Sequence, residues 1–196
     1  MSSADNIRNA FHVVYQTYEN VQKLIEYCKA IGPEKSNYTA AVDKILRYKS
    51  DNKVSGWFIQ DFIILFQNKD HIELENGWRE GPIYVMEIEL FNVNLELERM
   101  EGLPCVRLSK FEYDSLLNWE SGCSPSNHWR FYYPLRRNDI MNIQENGDDL
   151  HIIPRDQEES NRYYWGVKKI TSKRIPLTDI TADNTIEKVF NTFDKL

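Results

Sequence analysis

The apolar positions of this chain form their longest runs between Val54 and Glu98. Residues 54–67 and 82–98 are rich in β-branched and aromatic side chains, which predicts two strands. The dipeptide Asn76-Gly77 between the two runs is a strong turn signal. Acids interrupt both runs, so this predicted sheet contains carboxylates among its apolar side chains. The interrupting acids are Asp61, Glu87 and Glu89.

The pattern before residue 50 is helical. Residues 4–31 predict a long helix with one apolar seam at 4-3-4-3 spacing. The seam consists of Ile7, Phe11, Val14, Tyr18, Val21, Ile25 and Cys28. Its short length and its aromatic and cysteine members favour packing within the domain, and a homodimer through residues 4–31 is the alternative. Residues 37–49 predict a second helix, which would complete a helical hairpin over 1–50.

The rest of the chain, 54–196, is predicted to be rich in sheet. Asn-Gly turns and short connections favour strands that pair mostly antiparallel. Further strands are predicted at 129–135, 141–144, 150–153 and 163–171. Helices are predicted at about 109–119, where Ser109 and Glu112 form a capping box, and from about 182. The fold class is therefore α+β, with an N-terminal helical hairpin, a predominantly antiparallel sheet and a C-terminal helix. We expect a single domain over 1–196.

Composition and charge narrow the classes of function. A net charge of −6 argues against a protein that coats DNA or RNA. Three cysteines are an odd number, which indicates reduced thiols and a cytoplasmic location. No signal segment and no membrane-spanning run is visible. The chain is also aromatic-rich, at 13% Phe, Trp and Tyr, as expected of a large core or of a recognition surface.

The three acids are the first candidate for chemistry. Because side chains alternate along a strand, Glu87 and Glu89 share one face, and Asp61 joins them if the two strands pair. Buried carboxylates require a cation, a paired arginine or a proton. Mg²⁺ bound by Asp61, Glu87 and Glu89 would suit a metal-dependent nuclease, although the lysine usual in such sites is absent. Pairing with Arg79 or Arg107 is the alternative.

A basic and aromatic stretch is the second candidate. Residues 129–174 contain nine Lys or Arg and seven Asp or Glu, in a chain that is otherwise acidic. Aromatic rings beside guanidinium groups suit a protein partner, a nucleotide or single-stranded nucleic acid, and they also suit ordinary strand packing. The candidate binding residues are Trp129, Arg130, Tyr132, Arg136, Arg137, Arg162, Tyr164, Trp165 and Lys168.

No strong catalytic motif is present. We therefore expect a non-enzymatic binding protein of the inhibitor, immunity or accessory type. It would recognise a protein or an anionic partner through the basic and aromatic surface, without a cofactor. Two alternatives remain open. One is the Mg²⁺-dependent nuclease, and the other is a sensor of a nucleotide or of single-stranded nucleic acid.

Overall fold

The computed structural model describes residues 2–50, 56–94 and 99–196, with the backbone alone for 92–94 and 99–101. The sequence also predicts a turn at 51–53, which lies outside these ranges, as do 54–55 of the first apolar run and 95–98 of the second. Helix α1 spans Ser3–Lys35, and Ser2 caps it in a capping box with Asp5. Short helices follow at Trp129–Tyr132 (α2), Gln157–Tyr164 (α3) and Asn191–Phe193 (α4), the last preceded by a π-helical turn at Ile186–Phe190.

The main sheet has seven strands, at Tyr38–Ala40 (β1), Asp61–Asn68 (β2), Ile83–Glu89 (β3), Cys105–Glu112 (β6), Met141–Asn146 (β7), Asp149–Pro154 (β8) and Lys169–Pro176 (β9). They pair antiparallel in the order β1-β2-β3-β6-β9-β8-β7. A separate pair joins Asn92–Asn94 (β4) to Arg99–Glu101 (β5). The α+β class, with an N-terminal helix, an antiparallel sheet and a C-terminal helix, is confirmed.

The two faces of the sheet are covered differently. One face packs against α1 and the C-terminal helical turns through an apolar core that includes Ile25, Phe66 and Phe190. The other face packs against α3 and against a helical segment over 125–135, which is α2 with a 3₁₀ turn at each end. Aromatic rings dominate both cores. Among the described helices, none has the length and apolar character that crossing a bilayer requires.

The prediction of a second helix over 37–49, which would have completed the hairpin, is wrong. Tyr38–Ala40 instead form edge strand β1 on β2, and Leu46 exchanges two backbone hydrogen bonds with Ile63. Tertiary contacts decide this conformation, because the Tyr38 ring packs 4.8 Å from the Tyr84 ring and its hydroxyl donates to Asp194. Weak helix propensity is readily overridden by such packing.

Three other predicted elements differ in the last two-thirds of the chain. The strand predicted at 129–135 is helical, and the one predicted at 163–171 begins only at Lys169. The helix predicted from Ser109 is part of strand β6. The Ser109 hydroxyl, expected to cap that helix, instead donates to the Ser172 hydroxyl of β9 at 2.8 Å. Pairing with a distant strand therefore outweighed a local capping signal.

The aromatic core beneath α1 makes a direct test of this architecture. Phe66 is fully buried and packs against Phe190 and Phe193. Replacing it with alanine removes a ring from a close-packed site, so we expect the free energy of unfolding to fall by about 3–5 kcal/mol. Urea denaturation followed by far-UV circular dichroism measures the loss.

Leu103→Ala is the control, because this apolar side chain is 88% exposed. It should change stability by no more than about 0.5 kcal/mol. Similar losses in the two variants would contradict the core described above.

Candidate functional site

The helical segment over 125–135 presents one row of side chains to the sheet. His128, Tyr132 and Arg136 are spaced four apart, so they lie on one face of the helical turns. The His128 and Tyr132 rings stack with centroids 4.9 Å apart. The Arg136 guanidinium lies 3.8 Å from the centroid of the Tyr132 ring on the next turn. This continuous stack is the surface that meets the acids of the sheet.

The three acids converge on that same face. In the β2–β3 pairing, Asp61 lies opposite Glu89, and Glu87 lies opposite Ile63. Asp61 and Glu87 are buried, and Glu87 has no exposed surface at all. The alternation of side chains along the strands predicted this convergence, and the antiparallel register produces it.

Arg136 binds two of these acids. Its Nη2 donates to Glu87 Oε1 at 2.7 Å and to Glu89 Oε2 at 2.9 Å. Burial opposes the charged guanidinium, but the carboxylates of Glu87 and Glu89 overcome that effect and raise the pKa of Arg136. Burial also raises the pKa of Glu87, and Arg136 is the main group that acts in the other direction. The ion pair is therefore what allows an ionised carboxylate at this depth.

Asp61 has a different partner. Its Oδ2 is hydrogen-bonded to His128 Nε2, and both side chains are buried. The intervening Tyr132 bears no charge at neutral pH, and burial raises its pKa further, to about 12. The acids of the sheet are thus matched by His128 at one end of the stack and by Arg136 at the other.

A second arginine, Arg107, approaches Glu87 from the neighbouring strand. Its Nε lies 3.6 Å from Glu87 Oε2, which is beyond hydrogen-bond distance. Arg107 is only 5% exposed, yet its Nε has no hydrogen-bond acceptor among the residues that the structure describes. Burial lowers the pKa of Arg107, and Glu87 only partly offsets this. A buried cationic donor that lacks an acceptor requires an explanation.

A cleft of about 360 Å³ opens beside this network. Arg107 on β6 and Arg174 on β9 are directly opposite each other in the strand register, and both line the cleft. Like charges in that position repel each other unless an anion lies between them. The remaining lining residues are mostly polar and come from β3, the 132–138 region and the β7–β8 hairpin. They are Glu89, Tyr132, Leu135, Arg136, Asn138, Ile143, Glu145, Gly147, Asp148 and Leu150.

The proposed metal ligands are therefore close together, but side chains of the protein already occupy them. Arg136 lies between Glu87 and Glu89, and His128 binds Asp61. Within 2–50, 56–94 and 99–196, no three His, Cys, Asp or Glu residues are grouped so as to hold a metal ion. Of the two arginines predicted to pair with the acids, Arg107 approaches Glu87, while Arg79 pairs with Glu73 at 2.8 Å.

The predicted binding residues do not form one surface. Tyr132 and Arg136 belong to the stack, whereas Trp129, Arg137 and Tyr164 line a separate pocket of about 400 Å³. Arg130 lies between the Trp129 and Trp165 rings, 4.4 and 4.1 Å from their centroids. The other two make surface contacts: Arg162 lies over Tyr163 at 5.2 Å, and Lys168 pairs with Asp114 at 2.7 Å.

Sequence reasoning missed His128 and Arg174 as members of the site. The signal for His128 was its four-residue spacing from Tyr132 and of Tyr132 from Arg136, which appears only once 125–135 is recognised as helical. Arg174 offered no comparable local signal. It joins Arg107 because β9 pairs with β6, and that pairing connects residues more than sixty positions apart, such as Ser109 and Ser172.

Comparison with known proteins adds nothing to this site. The chain has no significant match to a protein-family model, a curated protein or a solved structure.

Removing Arg136 tests the ion-pair network. Arg136→Met leaves the Glu87 carboxylate buried without its main partner, so we expect the free energy of unfolding to fall by about 3–5 kcal/mol near pH 7. The substitution also raises the folded-state pKa of Glu87 further. A carboxyl group whose pKa is raised on folding loses stability as pH increases, so the deficit should grow as pH rises above the ordinary glutamate value of 4.5.

Arg137→Met makes the same substitution one residue later, at an exposed arginine that pairs with Asp139 on the surface. Its effect should stay within about 1 kcal/mol. Adding Glu87→Gln to Arg136→Met should restore part of the loss, since the carboxylate that Arg136 had paired with is then absent. Chemical denaturation at several pH values measures these effects, and a pH-independent deficit would rule out the role assigned to Glu87.

Proposed function

We propose that this protein is a non-enzymatic binding protein that holds a small anionic ligand in the cleft between Arg107 and Arg174. The observation that carries the proposal is the buried Nε of Arg107, which lacks an acceptor at the edge of a polar cleft. A phosphate or carboxylate group would supply that acceptor. It would also relieve the repulsion between the two facing arginines.

This ligand class fits the site better than the Mg²⁺-dependent nuclease does. A divalent cation at Asp61, Glu87 and Glu89 would have to displace Arg136 from two carboxylates and separate His128 from a third. A ligand at Arg107 and Arg174 leaves those contacts in place. An anionic ligand would contact only side chains that already line the cleft.

The sensor of a nucleotide or single-stranded nucleic acid stays a prediction with less support. Its stacking rings would have to be available to bases. Trp129 and Trp165 instead stack on Arg130, and Tyr164 is buried. A protein partner and the cytoplasmic location predicted from the three thiols also stay predictions.

Substitution of Arg174 tests the proposed anion site directly. Its side chain is exposed, so it can be changed without exposing the buried Glu87 carboxylate. Isothermal titration calorimetry with inorganic phosphate at low salt should detect binding to the unmodified protein. Arg174→Gln should weaken it by about tenfold or more, as expected for loss of one charge-assisted hydrogen bond.

Lys173→Gln is the matched control. This substitution removes the same charge from the same strand. The alternation of side chains places Lys173 on the opposite face of the sheet, where it pairs with Asp149 at 3.5 Å. Phosphate affinity should be unchanged in this variant. Equal weakening by both substitutions would indicate general charge attraction, and failure of phosphate to bind would contradict the proposed anion site.

We also propose that the protein self-associates through the first half of α1. The apolar seam is buried at Val21, Ile25 and Cys28, whereas Ile7 and Phe11 of the same seam are each 62% exposed. The helix leaves the body of the protein near Tyr18, whose hydroxyl donates to the Ile59 carbonyl at 3.0 Å.

The composition of this projecting part supports a second copy as the occupant. Residues 9–18 contain no Asp, Glu, Lys or Arg, in a chain that is 28% charged. Depletion of charge with enrichment of aromatic residues is typical of the centre of an interface. An isolated helix of about 16 residues is marginal in water, so pairing of two such helices would stabilise both.

Light scattering after size exclusion tests self-association. We expect a mass of twice the chain's 23.3 kDa. Phe11→Glu places a charge on the seam and should give the monomer, while Gln16→Glu places it on the opposite side of the helix and should leave the mass unchanged. A monomeric wild-type protein, or dissociation by both substitutions, would contradict an interface on this seam.

A further inference from the structure

The cleft is not uniformly positive. Glu87, Arg107 and Arg174 form one row across neighbouring strands β3, β6 and β9. The row continues into the β7–β8 hairpin, where the Arg174 amide donates to the Asp148 carbonyl at 2.9 Å. Glu145 lies in the same hairpin and also lines the cleft. From β3 across to the β7–β8 hairpin, the charged side chains of this row are therefore first acidic, then basic, then acidic again.

The outer charges of this row are unmatched within the described part of the chain. Among the described residues, Arg174, Glu145 and Asp148 have no ion-pair partner within 4.0 Å. The opposite face of the same strands differs, because Lys173 and Asp149 pair there at 3.5 Å. Buried Arg107, with its unpartnered Nε, is a second and independent sign that the cleft has groups left to satisfy.

Two separate charged regions define what would fit. An anion alone would be attracted by the two arginines and repelled by Glu145 and Asp148. A ligand with a cationic group at its other end would turn that repulsion into attraction. β7 lies two strands from β9, about 10 Å at the usual strand spacing, and the side chains shorten the gap between their charged ends. A short molecule can therefore contact both regions.

We propose that the cleft binds a small zwitterionic ligand. Its anionic group lies between Arg107 and Arg174, and its ammonium group lies against Glu145 and Asp148. This rests on the proposed function, because it needs the anion site to exist and then specifies the other end of the ligand. The acids of the hairpin act as specificity-determining residues that select against simple anions.

Two probes of similar size separate the ends of the ligand. Ethyl phosphate carries the anion alone, and O-phosphoethanolamine adds an ammonium group to the same skeleton. In calorimetric titrations at low salt, we expect O-phosphoethanolamine to bind at least about tenfold more tightly, the change expected for one charge-assisted contact.

The double variant Glu145→Gln/Asp148→Asn should abolish that difference, and its affinity for ethyl phosphate should be unchanged or higher. Both side chains are exposed, so the fold should persist, and a thermal melt confirms it. Asp149→Asn is the control, since this acid pairs with Lys173 on the other face and should not affect the preference.

The outcomes are distinguishable. If both probes bind equally and the double variant changes nothing, the anion site stands and the zwitterionic ligand is overturned. If neither probe binds, the proposed function fails together with this inference. A preference that survives in the double variant would also overturn the inference, because the ammonium group would then be recognised elsewhere.

Discussion

Burial of the Glu87 carboxylate is the constraint on which this face of the sheet depends. Glu87 lies on β3, inside the sheet, and has no contact with solvent. An unpaired charge there would cost several kcal/mol, so the fold has to bring a cation to it. Arg136 is that cation, and it follows directly on the 125–135 helical segment. The position of the 125–135 helical segment therefore follows from an electrostatic requirement as well as from apolar packing.

The same requirement shapes the cleft. Arg136 satisfies Glu87 and Glu89 from one side, which leaves Arg107 at 3.6 Å from Glu87 and without an acceptor for Nε. The protein thus contains one more buried cationic group than its nearby acids satisfy at close range. Arg174 on the next strand adds a second cation. The proposed anion site depends on this pairing of the buried acids, and it is the reverse of the metal site that the three acids alone suggested.

Some of this was predictable from the sequence. The two-residue period of a strand correctly placed Asp61, Glu87 and Glu89 on one face. Local patterns failed where distant contacts decide the conformation, as for Tyr38 in its aromatic cluster and Ser109 in its bond to β9. The aromatic run after His128 was predicted to be a strand because rings favour strands, yet the same rings stack at helical spacing. The facing pair of Arg107 and Arg174 depends on strand order, which no local pattern encodes.

The two faces of the sheet are held by different forces, and they should respond differently to temperature. The α1 face is an apolar and aromatic core, whose stabilisation weakens on cooling. The opposite face also has an apolar core, but it adds the buried ion pairs of Arg136 with Glu87 and Glu89, which do not depend on the hydrophobic effect. Cooling should therefore weaken the layer beneath α1 more than the layer over the cleft. The backbone amides of the two layers would then exchange with solvent at different rates, as two units of one sheet.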